Sequence, residues 1–292
     1  MSIKALRALI AIEQQGSFAA AADKLGLTQA AISQQIKQLE TQLKTPLFEK
    51  VGRTMLLNHD GRIVLARAAG IVAAYDGLAD GIGSHGQFVG ELRVGAVFSV
   101  QIGPLGAVLA ELREAFPELS IQVYHGMSDE LMARVENNEL DAVLITEPLS
   151  GCGVGCWWTT LDVEPFYVVA PTCWHEPDSL SLLQKHPYIR FNPRAFAGAL
   201  IDQELECAGV VTNEVMQLDS LQSATTMVEQ RLGITIMPLG AALYDKYKTQ
   251  FRLVPFGEPQ LTRRVGCYQK REHSRSQLVD VLLKSYLRCL DS

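Results

Sequence analysis

The sequence predicts an α/β protein in three parts: a small helical head over residues 1–58, a helical connector over 59–88, and a two-lobed α/β body over 89–292. Three observations predict it. Residues 16–40 carry two apolar runs at helical spacing, joined by a glycine-led turn. Residues 60–85 carry apolar side chains stepping alternately by three and four. From Glu91 onward, short apolar or alternating runs take turns with amphipathic stretches, the rhythm of strands and helices wound into parallel sheets.

The head is the most specific part. In GSFAAAADKLGLTQAAISQQIKQLE, Ser17 is placed as an N-cap, and Phe18, Ala21, Ala22 and Leu25 form one apolar face. Gly26 ends that helix, Leu27 serves as an apolar plug, and Thr28 caps the next. Ile32, Ile36, Leu39 and Leu43 then mark a buried stripe. The opposite face carries Gln29, Ser33, Gln34, Lys37 and Gln38, with short Ala30 and Ala31 beside them. An ordinary solvated face carries Lys and Glu. Amides and hydroxyls both donate and accept, as reading base edges in a major groove requires. Helix, tight turn and capped polar helix form a helix-turn-helix.

Pro46-Leu47-Phe48 restores an apolar anchor, and residues 49–57 read as a hairpin turning at Gly52. Such a wing carries Lys50 to a phosphate and Arg53 toward a minor groove. Ser17, Thr28 and Lys37 are further candidates for phosphate contacts.

Composition sets the frame. With 48% hydrophobic and 20% charged residues, the 292-residue chain is an ordinary globular protein. The formal net charge is −6, yet the first 58 residues hold seven basic side chains against four acidic ones. Phosphates are therefore met by the head, weakly per copy, which calls for a dimer. The N-terminus has no signal-peptide pattern, and no apolar run reaches membrane-spanning length, so the expected location is the cytoplasm, with no membrane partner. Six scattered cysteines suit a reducing compartment.

In the connector, Leu65, Ala68, Val72, Tyr75, Ala79 and Ile82 form a heptad seam. Its partner is the same seam on a second subunit, or else the helix's own body. Gly81-Ile82-Gly83-Ser84-His85-Gly86 matches the dinucleotide fingerprint, but it follows a helix and precedes a strand, the reverse of the required context.

In the body, strands are expected at 92–96, 121–123, 142–145, 188–191, 215–218, 233–237 and 263–268. Helices are expected at 104–116, 129–136, 199–208, 221–230 and 276–290. Ligands of open α/β lobes sit beyond the carboxyl ends of strands. The candidate effector residues are therefore Ser99, Val100, Gln101, Ser128, Thr146, Arg194 and Phe196. The hydroxyls and Arg194 suit an anionic small molecule, and Phe196 suits its apolar part. For each serine, plain helix capping is the competing role. No G-x-S-x-G elbow and no metal-ligand spacing is present, so no catalytic residue, metal or cofactor is assigned. Cys152-Gly153-Val154-Gly155-Cys156 reads as a flexible loop rather than a redox pair.

The elements GSFAAAADKL, LTQAAISQQIKQLE and TPLFEKVGR resemble the winged helix-turn-helix of LysR-type transcriptional regulators. RVGAVFSVQIGPL, ELDAVLI and EQRLGITIMP resemble, more loosely, the family's effector domain, which is similar to periplasmic binding proteins. Two positions depart from the pattern. Lys50 stands where an Arg is usual, and Asn58-His59-Asp60-Gly61 replaces a Thr-led helix start. The resemblance implies an intermolecular connector and a C-terminal helix folded back on the first lobe. Lobe one then spans about 91–162 with 266–292, and lobe two about 163–265. It further implies a homodimer or homotetramer on an imperfect palindrome of double-stranded DNA, a small-molecule effector, and contact with RNA polymerase. The alternative is a ligand-binding sensory or transport-type protein that reads no DNA.

Overall fold

The computed structural model describes residues 2–51, 54–76 and 88–290. The head comprises α1 (Ile3–Gln15), α2 (Phe18–Leu25), α3 (Gln29–Leu43) and a hairpin of β1 (Phe48–Val51) and β2 (Thr54–Leu57). Leu6, Leu9 and Ile12 of α1 pack with Ile32, Ile36 and Leu39 of α3 and with Leu47 in one small core. Gly26 ends α2 in the left-handed region at φ 65, where a Cβ would be strained. Leu27 and Leu43, expected to be buried, are 41% and 36% exposed. The head core is complete without them.

The connector helix α4 (His59–Asp76) starts where the sequence departs from the family pattern. Asn58 supplies the cap, its Oδ1 accepting from the Gly61 N–H at 2.8 Å while its Nδ2 donates to the Pro46 carbonyl at 2.9 Å. Asp60 instead accepts from Thr45 Oγ1 at 2.9 Å. Position 61 admits only glycine, since a Cβ there would stand 2.2 Å from the Leu47 carbonyl oxygen.

The heptad seam needs correction. Ala68 is buried in the head's own core, and Leu65 and Val72 pack against the same cluster. An apolar stripe beside an unfilled core is covered by its own domain first. Among the described residues, the large apolar side chains that α4 leaves exposed are Ile63, Ile71 and Tyr75. Ala79, Ile82 and the glycine motif at 81–86 lie outside the described residues.

The body runs β3 (Gly90–Ala96), α5 (Phe98–Ile102), α6 (Leu105–Ala115), β4 (Leu119–His125), α7 (Ser128–Glu136), β5 (Ala142–Thr146), β6 (Cys156–Ala170), α8 (Ser179–Lys185), β7 (Pro187–Phe191), α9 (Phe196–Cys207), β8 (Asn213–Leu218), α10 (Leu221–Glu229), β9 (Thr235–Pro238), α11 (Ala241–Tyr247), β10 (Arg252–Pro255), β11 (Thr262–Lys270) and α12 (Ser276–Leu290). In the first lobe β4, β3 and β5 run parallel, and β11 and then β6 join antiparallel. Leu92, Val94 and Leu144 of the sheet meet Val108 and Leu112 of α6 and Leu278 and Leu282 of α12 in its core. In the second lobe the far half of β6 pairs β9 and β10, β7 pairs β8 in parallel, and Tyr188 bridges Ile234 beside β9. Among the described residues no helix is long and apolar enough to cross a membrane.

Strand β6 was not foreseen. Its Thr159, Thr160 and Glu164 interrupt an apolar reading, and Pro165 argues against a central strand. Pro165 stands where β6 exchanges partners: it lies opposite Thr262 of β11, and the next residue, Phe166, lies opposite Pro238 of β9. A residue without an N–H fits there, where one ladder gives way to another.

Candidate DNA-reading face and effector cleft

Sequence-coded caps fix the two head helices. Ser17 Oγ accepts from the Ala20 N–H at 3.2 Å, and Thr28 Oγ1 from the Ala31 N–H at 3.2 Å. Each hydroxyl uses a lone pair in its cap and keeps its proton for an external acceptor such as a phosphate. The buried stripe of α3 turns Gln29, Ala30, Ser33, Gln34 and Lys37 together into solvent. Behind them, Glu40 Oε1 accepts from the Leu47 N–H at 2.7 Å and ties the end of α3 to the wing. Lys50 lies exposed on β1, opposite Met55. Arg53 lies outside the described residues. The surface is neutral and bidentate in hydrogen bonding, with lysines at its edge, a combination that discriminates base edges and anchors on phosphates.

The cleft departs from expectation in an instructive way. Ser99 is the second residue of α5, and the cap position belongs to Val97, so Ser99 caps nothing. Its buried Oγ accepts from Arg263 Nη2 at 2.6 Å. Thr146, at the carboxyl end of β5, accepts from Arg263 Nη1 at 3.1 Å. Nε and Nη2 of the same guanidinium donate to Glu164 Oε2 at 2.8 and 2.5 Å. Arg263 and Glu164 are 6% exposed each and face one another across the β11–β6 ladder. A buried guanidinium–carboxylate pair thus sits where the two lobes meet, and two of the proposed ligand-binding hydroxyls complete its hydrogen bonds.

Sequence reading missed both ions, although strand alternation held the signal. Arg263 shares a strand face with Val265 and Cys267, and Glu164 shares one with Phe166 and Val168; all six are buried. A charge on an apolar face of a strand implies a partner on its neighbour. A further carboxyl stands close by. Burial, followed by the Glu164 charge, raises the Asp162 pKa above the usual carboxylate range, against a smaller opposing pull from Arg263.

The remaining candidates divide. Val100 is 1% exposed and its side chain belongs to the first-lobe core rather than to the cleft. Gln101 spends its Nε2 on the Ala96 carbonyl at 2.8 Å, securing the turn into α5. Ser128 is buried as the first residue of α7, whose cap is Met127. Arg194 is exposed, its backbone N–H held by Asn192 Oδ1 at 3.0 Å, and Phe196 is the half-buried first residue of α9 rather than a loop residue. Arg263 joins Ser99 to Thr146 and joins neither to Arg194 or Phe196. Phe98, also unforeseen, reaches from the first lobe to the core of the second and lies edge-on to His125, with ring centroids 6.1 Å apart. The loop carrying Cys152 and Cys156 is not loose, because Gly153 N–H donates to Tyr268 Oη at 3.1 Å and that hydroxyl donates to Glu136 at 2.7 Å.

Comparison with known proteins agrees with this division. Residues 3–62 match the model of the bacterial regulatory helix-turn-helix protein, lysR family, and residues 85–288 match the LysR substrate binding domain. A probable hydrogen peroxide-inducible genes activator of Mycobacterium leprae is 26% identical over 94% of this chain and 90% of its own. Among solved structures, a full-length OxyR variant from Pseudomonas aeruginosa is similar at TM-score 0.75 and 22% identity, covering 98% of this chain and 94% of that one. Full-length CbnR in complex with its target DNA is similar at TM-score 0.65 and 18% identity, covering 99% of this chain and 100% of that one.

Proposed function

Because the chain belongs to the LysR family of transcriptional regulators, binding DNA through its head and a small molecule through its body, we propose that its effector carries an anionic group that takes the place of Glu164 on Arg263. One observation carries this reading: the guanidinium is buried between the lobes with a carboxylate and two hydroxyls of this chain already around it. An effector acid would reproduce what Glu164 supplies, and Ser99 and Thr146 would turn their hydroxyl protons from bystanders into donors. Exchange of partners at that point alters how β6 and β11 hold the lobes. Such an effector biases the equilibrium because it binds one lobe arrangement better than the other.

On the DNA side, Gln29, Ser33 and Gln34 read base edges, with Ala30 letting α3 lie close in the groove. Ser17, Thr28, Lys37 and Lys50 hold phosphates, and Arg53 serves the minor groove. Two heads address successive major grooves of an imperfect palindrome. The pairing face of α4 is the exposed stripe of Ile63, Ile71 and the seam residue Tyr75, since the head core covers Ala68 and packs against Leu65 and Val72. Assembly of dimers into a tetramer, contact with RNA polymerase, action without catalysis and residence in the cytoplasm complete the reading. The mycobacterial relative is named as an activator of hydrogen peroxide-inducible genes, and a cysteine of this chain could react with peroxide only as an accessible thiolate. Burial pushes the Cys267 thiol up to about 12, which argues against it as a peroxide-reactive group, whereas Cys152 is exposed.

A thermal-shift panel of small carboxylic acids, run on the full chain, tests the effector site. The expected result is an acid that raises the wild-type Tm and loses most of that effect in both Ser99→Ala and Thr146→Val. A stabilising acid indifferent to both substitutions would remove this cluster from the effector site.

A further inference from the structure

A second site lies away from the cleft, where the connector helix meets the first lobe. A cavity of about 160 Å³ opens there between Gly70 of α4 and the residues Arg93, Asn138, Asp141, Lys270 and His273 of the body. Its polar groups are unevenly committed. Both oxygens of Asp141 are in use, one accepting from the Arg93 N–H at 2.7 Å and the other from its guanidinium at 3.1 Å. Lys270 Nζ donates to Asn138 Oδ1 at 2.6 Å, and among the described residues no carboxylate lies within ion-pair distance of it. The half-buried ammonium is therefore met directly by an amide oxygen and by no carboxylate among the described residues. Asp141 is occupied by Arg93, whereas Lys270 keeps two ammonium protons and Asn138 keeps its Nδ2 group. The other acid, Glu272, is exposed at the rim, where water screens it.

The walls are built to hold this arrangement. Asn138 adopts φ 61, a left-handed conformation that asparagine tolerates and that holds its amide between Lys270 and α4. Gly70 lets the helix close over that amide, since a Cβ there would stand 3.0 Å from Asn138 Cγ. Burial holds the His273 pKa below its usual value, and its Nε2 stands 3.0 Å from Gln269 Oε1 at the edge of the cavity.

We propose that this cavity binds a small oxyanion, a short carboxylate or an inorganic phosphate or sulfate, against Lys270 and Asn138, and that the bound ion fastens α4 to the first lobe. Since α4 also forms part of the head core, such a ligand sets the direction of the DNA-reading face without entering the cleft. The chemistry follows from the uncommitted donors, and the volume restricts the ligand to a few heavy atoms.

The test is isothermal titration of the full chain with acetate, malonate, sulfate and inorganic phosphate at constant ionic strength. The expected result is saturable binding of at least one probe to wild type, weakened about tenfold or more in Lys270→Met. Binding should survive in Lys270→Arg and in Ser99→Ala, and should disappear in Gly70→Leu, whose side chain fills the space. The carboxylate and inorganic arms separate the two sources of the anion. Saturable binding by none of the probes, binding unchanged in Lys270→Met, or binding lost in Ser99→Ala would overturn the proposal. If Lys270→Met fails to fold, Gly70→Leu decides in its place, and unchanged binding there has the same force.

Discussion

The reading face of the head and the centre of the cleft both rest on polar side chains, but they deploy them in opposite ways. On α3, Gln29, Ser33 and Gln34 stand in solvent, carried on a helix whose apolar side is buried in the head core. Between the lobes, Ser99, Thr146 and Glu164 are all buried and each accepts from the buried Arg263. The first arrangement awaits a partner that brings its own hydrogen-bonding pattern. The second is already satisfied, so a ligand reaching Arg263 would have to displace an internal group. On the proposed reading, recognition at the head would be addition and recognition in the cleft exchange.

Substitutions that break this contrast should differ in size. Arg263→Ala leaves Glu164 buried without its counter-charge and should destabilise the body by about 3–5 kcal/mol in chemical denaturation, whereas an Arg263→Met, Glu164→Leu double variant should recover most of that loss. Gln29→Ala touches an uncommitted side chain. It should leave stability within about 0.5 kcal/mol of wild type while costing about 1–3 kcal/mol of operator affinity, measured by mobility shift on matched and mutated sites. Thr28→Ala removes a cap and should cost about 1 kcal/mol of head stability by thermal melting.

The smallest effect belongs to Asp162, whose folded pKa is raised, so that the folded state holds its proton more tightly than the unfolded chain does. Ionisation of Asp162 therefore opposes folding above the raised pKa, and that cost vanishes below the unfolded value. Asp162→Asn should stabilise the protein slightly at neutral pH, with the gain fading as the pH falls through the carboxylate range. A gain that grew toward acid pH would contradict the sign.

The same contrast explains what the sequence revealed. The head was legible because its signals are local: Ser17, Gly26 and Thr28 each act within three or four residues, and α3 displays its function on the face opposite Ile32, Ile36 and Leu39. The cleft depends on groups 99 and 164 residues apart along the chain, brought together only by β6 and β11. Ser99 and Thr146 were singled out near the carboxyl ends of strands, but their partner Arg263 required the pairing of β11 with β6. Val100 was misassigned for the same reason, since its side chain points into a core that the loop reading could not see. The seam of Leu65, Ala68 and Val72 was correct as an apolar stripe and wrong about what covers it. Periodicity identifies a buried face without naming its neighbour.

The exchange account is tested most directly by DNase footprinting of Glu164→Gln, which keeps the shape at position 164 and removes its charge. If Arg263 is held by an internal stand-in for the effector, this variant should give, without added ligand, a footprint altered from wild type that no longer responds to the acid that shifts the wild-type one. A folded Glu164→Gln protein with the wild-type footprint and the full wild-type response to that acid would contradict the account.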